Sequence, residues 1–119
     1  MNTSTKEFNN AVRRLGEAIA QNKDEFIRDS VIQRFEFCIE LAWKTSKKIM
    51  GTTTSAPKDV IREMAQANYI TDVEIWLLAI DMRNLSSHTY KEDLAEKVYD
   101  FSCHFLEELK KLLVKLESK

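Results

Sequence analysis

An all-α fold, four main helices and one short one in an up-and-down bundle, is what this chain predicts. Three observations carry the prediction. Only 2 glycines and 1 proline among 119 residues leave little punctuation for hairpins. The long segments between them are rich in Ala, Leu, Glu and Lys, the side chains that lose least freedom in a helix. Near the C-terminus, Leu94, Val98, Phe101, Phe105, Leu109, Leu112 and Leu116 follow a nearly heptad spacing, a seam suited to helices packed at about +20°.

The first helix is expected from Thr3 or Thr5 to about Gln21-Asn22, with Phe8, Val12, Leu15 and Ile19 on one stripe. A polar connector from Asn22 to Asp29 follows, and Asp29 or Ser30 is the expected N-cap of the second helix. That helix, about Val31 to Met50, has a core stripe of Ile32, Phe35, Ile39, Ala42 and Ile49, with Ser46 its one polar member. Phe37 and Leu41 project roughly 200–240° around the wheel. A helix apolar on two sides needs two things to pack against, another helix or a second copy of the chain. Glu36, Glu40, Lys44 and Lys47 lie between the faces. They form either a solvated polar strip or a partner-docking strip with Trp43 as its aromatic anchor.

Gly51 is placed to end this helix. Ser55 is the expected cap of a short third helix that carries Pro57 in its first turn, Val60, Ile61 and Met64, and stops near Asn68. Thr71-Asp72 caps the fourth, whose core stripe is read as Ile75, Leu78, Ala79, Met82 and Leu85, with Arg83 on its Trp76/Ile80 flank. The last helix starts around Lys91-Glu92-Asp93 and runs to about Leu116. Residues 1–119 read as a single domain, long enough to bury roughly two thirds of its unfolded surface.

Charge and cysteine usage narrow the classes. Eighteen basic and nineteen acidic side chains give a net charge of −1, so any contact with RNA must be local. Cys38 and Cys103 sit inside helical patterns and are expected as buried thiols in a reducing cytoplasm. The N-terminus carries no apolar signal core, and no apolar run nears the length of a membrane span, so no membrane association is expected. No Gly-rich phosphate loop, paired-carboxylate metal motif or zinc-ligand spacing is present, hence no cofactor and no metal are expected. For the same reason the chain is not itself a nucleotidyltransferase. His104 reads as a satisfied helix histidine.

The chemistry is concentrated in the stretch from Asp81 to Tyr90. Five helical steps would place Arg83 and His88 roughly 140° apart, so the two can face one site only if the helix ends or bends near Ser87. Ser86-Ser87-His88-Thr89 is poor helix sequence and favours such an end. Histidine suits general acid or base work near neutral pH. The guanidinium of Arg83 offers a rigid fork matched to phosphate oxygens. Asn84 could orient the imidazole or bind a phosphate oxygen. One copy supplies a single Arg and a single His, so metal-free RNA cleavage would be better served by a C2 homodimer that pools two sets. The structural alternative is a capping pair that satisfies last-turn carbonyls and a neighbouring carboxylate.

Arg83-Asn84-x-x-x-His88-x-Tyr90 resembles the R-x4-H-x-Y signature of HEPN domains, the small helical partners of minimal nucleotidyltransferases. Arg34-Phe35-Glu36 and Glu40-Leu41-Ala42-Trp43-Lys44 resemble a second block of the subfamily called nucleotidyltransferase substrate-binding proteins. The resemblance runs from about Phe8 to the last helix. It implies a helical subunit that pairs with a separately encoded minimal nucleotidyltransferase and binds nucleotide or polynucleotide near Arg83, Asn84, His88 and Tyr90. In toxin members it implies a ribonuclease site at a dimer interface, with Arg83 and His88 catalytic. There the signature tyrosine, here Tyr90, accepts nucleotidyl groups from the partner, and the added charge and bulk silence the nuclease. A non-catalytic helical interaction module is the third possibility. Phe37, Leu41, Trp43 and Lys44 are the candidate partner or dimer contacts.

Overall fold

In a computed structural model the backbone is described from residue 3 to residue 119, and side chains from Thr5 onward. Five α-helices follow in order: α1 (Thr3–Ile19), α2 (Glu25–Met50), α3 (Pro57–Gln66), α4 (Val73–Leu85) and α5 (Glu92–Glu117). A single 3-10 turn, Ser86–His88, joins α4 to α5. No strand occurs among the described residues. The expected all-helical fold is what the chain adopts, with α3 as its short helix.

α1, α2 and α5 pack on one another, α4 closes the bundle against α2 and α5, and α3 lies against α2 and α4. The expected α1 stripe is inside: Phe8 and Leu15 are fully buried, Val12 nearly so, and Ile19 packs at the edge. α5 buries Ala95, Val98, Ser102, Phe105, Leu109, Leu112 and Leu116. This seam alternates steps of three and four without exception, because the small residues Ala95 and Ser102 take places that the larger Leu94 and Phe101 were expected to fill. Ser102 is tolerated there because its hydroxyl donates to the Val98 carbonyl at 2.7 Å.

The second helix begins six residues before the expected Val31. Asp24, not Asp29 or Ser30, is its N-cap, and the Asp24 carboxylate accepts from the Ile27 amide at 2.7 Å. What reads as a polar connector is a first helical turn whose charge is satisfied across the bundle. Arg28 is 5% exposed. It reaches Asp29 at 3.1 Å, Glu92 at 2.6 Å and Glu96 at 3.3 Å, tying the start of α2 to the start of α5. Lys23 joins the same cluster through Glu96.

Gly51 ends α2 as expected, at φ 70°, with its amide bonded to the Lys47 carbonyl. Ser55 does not cap α3. Ala56 holds the N-cap position without a side-chain bond, and Pro57 supplies the first helical residue with its pre-set φ. Asp72 caps α4 as expected and accepts from the Ile75 amide at 3.2 Å.

The core face of α4 is rotated from the expected one. Trp76, Ala79, Ile80 and Met82 are buried, Ile75 and Leu85 are half-buried, and Leu78 is 42% exposed. α4 touches α3 as well as α2 and α5, so its wheel has no single inner stripe, and the large indole takes the central place. Cys38 is buried as expected, and burial pushes its thiol up to about 12. Cys103 is only partly covered.

The Arg28 cluster makes acid stability testable. A hydrogen bond from Lys23, seconded by Arg28, lowers the Glu96 pKa below its ordinary value of 4.5. A carboxyl depressed by folding stabilises the folded state above its unfolded pKa, and that contribution is lost as pH falls through the folded one. Thermal melts from pH 7 to pH 2.5 should therefore show Glu96→Gln with a shallower loss of Tm than wild type below pH 4.5. Parallel curves would mean that Glu96 gains nothing from its two cations.

Candidate functional site

The last turn of α4 ends where its hydroxyls end it. Ser86 Oγ donates to the Arg83 carbonyl, Ser87 Oγ to the Asn84 carbonyl at 3.0 Å, and Thr89 Oγ1 to the Ser86 carbonyl at 3.2 Å. These bonds occupy carbonyls that a continuing helix would use, and the chain tightens into the 3-10 turn. The Lys91 amide then bonds the His88 carbonyl at 3.2 Å, and α5 begins. The helix end expected near Ser87 is present.

This turn lifts two rings into solvent. His88 is exposed and Tyr90 is 77% exposed, their centroids 6.2 Å apart in an edge-to-face arrangement. Asn84 is also exposed. Among the described residues no hydrogen bond joins its side chain to the imidazole.

Arg83 goes elsewhere. Its side chain is 31% exposed and lies across α2, where Nε donates to Glu40 Oε1 at 2.9 Å and Nη1 stands 3.9 Å from Glu36 Oε2. The other Glu40 oxygen meets Lys44 Nζ at 3.2 Å. The two cations and two carboxylates sum to zero, which leaves no net positive field at this point. Nη2 has no protein partner among the described residues, so one edge of the fork stays available to an acceptor. No hydrogen bond or ion pair links Arg83 to His88 among the described residues.

The structure thus sorts the expected site residues into two groups. Arg83 is joined to the Glu36–Lys44 strip, and His88 is joined to Tyr90. Glu36 and Glu40 are not simply solvated; each is half-buried. Their role as Arg83 partners was missed because a helical wheel compares residues within one helix. The available signal was a pair of carboxylates four residues apart on the flank of the α2 core stripe.

The remaining expected contacts divide similarly. Phe37 is 52% exposed, while Leu41 is half-covered by the core. Trp43 is turned inward, 9% exposed, so it is not a protruding anchor. Lys44 stays exposed, with its ammonium 5.6 Å from the Trp43 ring centre. A cleft of about 570 Å³ runs along the N-terminal half of α2, past Ser30, Gln33 and Glu36, and reaches Phe37 and Thr89. It brings the α2 block to the segment that carries His88 and Tyr90. Among the described residues no three His, Cys, Asp or Glu side chains are grouped to hold a metal. No helix among them is long and apolar enough to cross a membrane. His104 Nδ1 bonds the Asp100 carbonyl at 2.7 Å, the satisfied histidine expected.

Comparison with known proteins gives a consistent picture. The family model for nucleotidyltransferase substrate binding protein-like chains matches residues 3–118. A Haemophilus influenzae protein named as a probable ribonuclease HepT is 34% identical over 96 residues, which span 74% of this chain and 66% of that protein. Two solved structures superpose closely. One, from Haemophilus influenzae, is described as revealing the fold of a substrate binding domain of a nucleotidyltransferase. It has a TM-score of 0.84 at 28% identity, over 95% of this chain and 98% of that one. The other, from Thermus thermophilus, has a TM-score of 0.74 at 27% identity, over 93% and 96% of the two chains.

The Arg83–Glu40 bond is open to a double-mutant cycle. With both side chains nearly a third exposed, solvent screens the pair, and the coupling between Arg83→Met and Glu40→Gln should be about 1 kcal/mol or less. It should shrink as salt is raised. Additive effects in urea melts would show that the two side chains are neighbours without being partners.

Proposed function

Because the chain belongs to the nucleotidyltransferase substrate-binding protein-like family, we propose that it is the helical partner subunit of a separately encoded minimal nucleotidyltransferase. In this reading it binds nucleotide or polynucleotide at Arg83, Asn84, His88 and Tyr90. The observation that carries it is the 3-10 turn, which presents His88 and Tyr90 side by side in solvent beside the cleft ending at Thr89. The Arg83 guanidinium supports binding over catalysis. Glu40 and Glu36 already neutralise it, so it can orient a phosphate through Nη2 better than it can hold the extra charge of a transition state.

A second reading is favoured by the exposure of Tyr90 and by the name of the Haemophilus influenzae relative. Here the chain is a metal-independent ribonuclease, with His88 as general acid or base, silenced when its partner modifies Tyr90. A phenol is a poor nucleophile at neutral pH, so the partner must supply the base and the magnesium ion. The tyrosyl oxygen attacks the α-phosphorus of ATP, pyrophosphate leaves, and an anionic phosphodiester then stands beside His88.

Both readings are separated by one set of measurements. Co-incubation with the partner transferase, ATP and magnesium should add nucleotidyl mass to Tyr90 and none to Tyr90→Phe. In EDTA, cleavage of single-stranded RNA that disappears in His88→Ala and persists in Tyr90→Phe assigns the nuclease. Absence of cleavage, together with nucleotide binding that depends on Arg83, assigns the binding subunit. His88 is exposed, so its removal should leave Tm within about 1 °C of wild type, since surface substitutions away from caps cost little.

The exposed Phe37 and half-covered Leu41 further support a homodimer through the outer face of α2, which would place two copies of the turn in one assembly. Light scattering at micromolar concentration should return twice the 13.9 kDa chain mass. Phe37→Asp should return a folded monomer. A wild-type monomer at these concentrations would end the composite-site idea.

A further inference from the structure

The chain has six arginines, and four of them are paired with carboxylates. Arg13 holds Glu17, Arg28 holds Asp29, Glu92 and Glu96, Arg62 holds Asp59, and Arg83 holds Glu40 and Glu36. Arg14 and Arg34 have no carboxylate partner among the described residues. Both line one pocket of about 220 Å³ between α1 and α2, with Glu17, Gln21 and Ser30.

The pocket's polar groups suit an anion. Arg34 is half-buried, and its Nε donates to Ser30 Oγ at 3.2 Å. That bond orients the guanidinium and, among the described residues, leaves both Nη groups and the serine hydrogen without a partner. Glu17 is the one carboxylate on the wall, and its charge is matched by Arg13 at 3.0 Å. The local balance is therefore positive in a chain whose net charge is −1. A half-buried, permanently charged guanidinium without a countercharge opposes folding, and a bound anion offsets that cost. The volume lies below the roughly 300–1,000 Å³ of sites that enclose whole small molecules, which fits a phosphate group better than a complete nucleotide.

Ser30 also lines the larger cleft that reaches Thr89. The two clefts meet at this residue, one ending at the unpaired arginines and the other at the His88–Tyr90 segment. We propose that Arg14, Arg34 and Ser30 form a phosphate subsite for a polynucleotide or nucleotide whose other end lies in the cleft by His88 and Tyr90. The chemistry, a phosphate oxygen on two guanidinium forks, is common to an RNA phosphodiester and a nucleotide's terminal phosphate. The subsite deepens the reading of the chain as a nucleotide- or polynucleotide-binding subunit and rests on it for the identity of the ligand.

Three probes test it on the full chain: inorganic phosphate, ATP and a single-stranded oligoribonucleotide. Inorganic phosphate should shift the Nε–H resonances of Arg14 and Arg34 and leave that of Arg13 in place. The Arg14→Gln, Arg34→Gln double variant should lose this response and bind the oligoribonucleotide about tenfold more weakly, its log K against log salt shallower by about 0.7 for the one phosphate lost. If the double variant does not fold, Arg14→Gln alone serves, because Arg14 is exposed. ATP binding that weakens with the oligoribonucleotide's assigns a nucleotide's terminal phosphate; loss confined to the oligoribonucleotide assigns the phosphodiester. Unmoved Arg14 and Arg34 resonances, or wild-type affinity of the folded variant for every probe, overturn the subsite. Oligoribonucleotide and ATP binding that are both untouched by the folded double variant defeat the subsite and leave the proposed function standing. A phosphate response without any affinity for RNA or ATP leaves the anion pocket standing and defeats the proposed function.

Discussion

Phe105 is the contact on which the rest of the bundle depends. Its ring meets Phe35 of α2 at 6.2 Å and Trp76 of α4 at 4.7 Å, both edge-to-face, and stacks on Phe101 of its own helix at 5.3 Å. Edge-to-face pairs are directional as well as apolar, so this cluster fixes the rotation of three helices together with their spacing. The consequences reach the candidate site. Arg83 lies seven residues beyond Trp76, about two turns on and nearly the same face. Glu36 follows Phe35 directly on α2. Once the aromatic rings are seated, the guanidinium and the two carboxylates are carried into register.

A near-neutral net charge conceals a strongly ordered distribution. Arg28 and Arg83 each cross between helices to carboxylates, which neutralises them and pins α2 to α5 and to α4. The start of α5 has no side-chain cap at Lys91, and the Arg28–Glu92 contact holds that turn in place. The segment from Ser86 to Lys91 is therefore anchored at both ends, by hydroxyl-to-carbonyl bonds on the α4 side and by an ion pair on the α5 side. Between these anchors the His88 and Tyr90 rings meet each other and stand exposed to solvent. A rigid frame with an exposed, two-ring tip is well suited to being reached by another protein's active site or by a polynucleotide strand.

Much of this is legible in the sequence. The helix count follows from scarce glycine and proline and from three-four spacing. Gly51 as a helix end and Asp72 as a helix start follow from local chemistry, and the break after Leu85 follows from two serines that compete for α4's last carbonyls. Each is a property of a few consecutive residues, which is why sequence reading succeeds there. What is not legible has the opposite character. Asp24 does not read as an N-cap because Arg28 looks like a connector residue until Glu92 and Glu96, more than sixty positions away, accept its charge.

By itself the sequence determined the helical class, the placement of His88 and Tyr90 just past a helix end, and the R-x4-H-x-Y spacing that relates them to Arg83. Only the tertiary structure decided that Arg83 faces Glu40 and Glu36 with no bond to His88 among the described residues, that Trp43 turns inward, and that Arg14 and Arg34 share a pocket whose one carboxylate, Glu17, is held by Arg13. The reason is physical. Helix identity and helix ends are settled by hydrogen bonds within four residues, whereas the partner of a charged side chain is settled by how neighbouring helices rotate when their largest rings are buried.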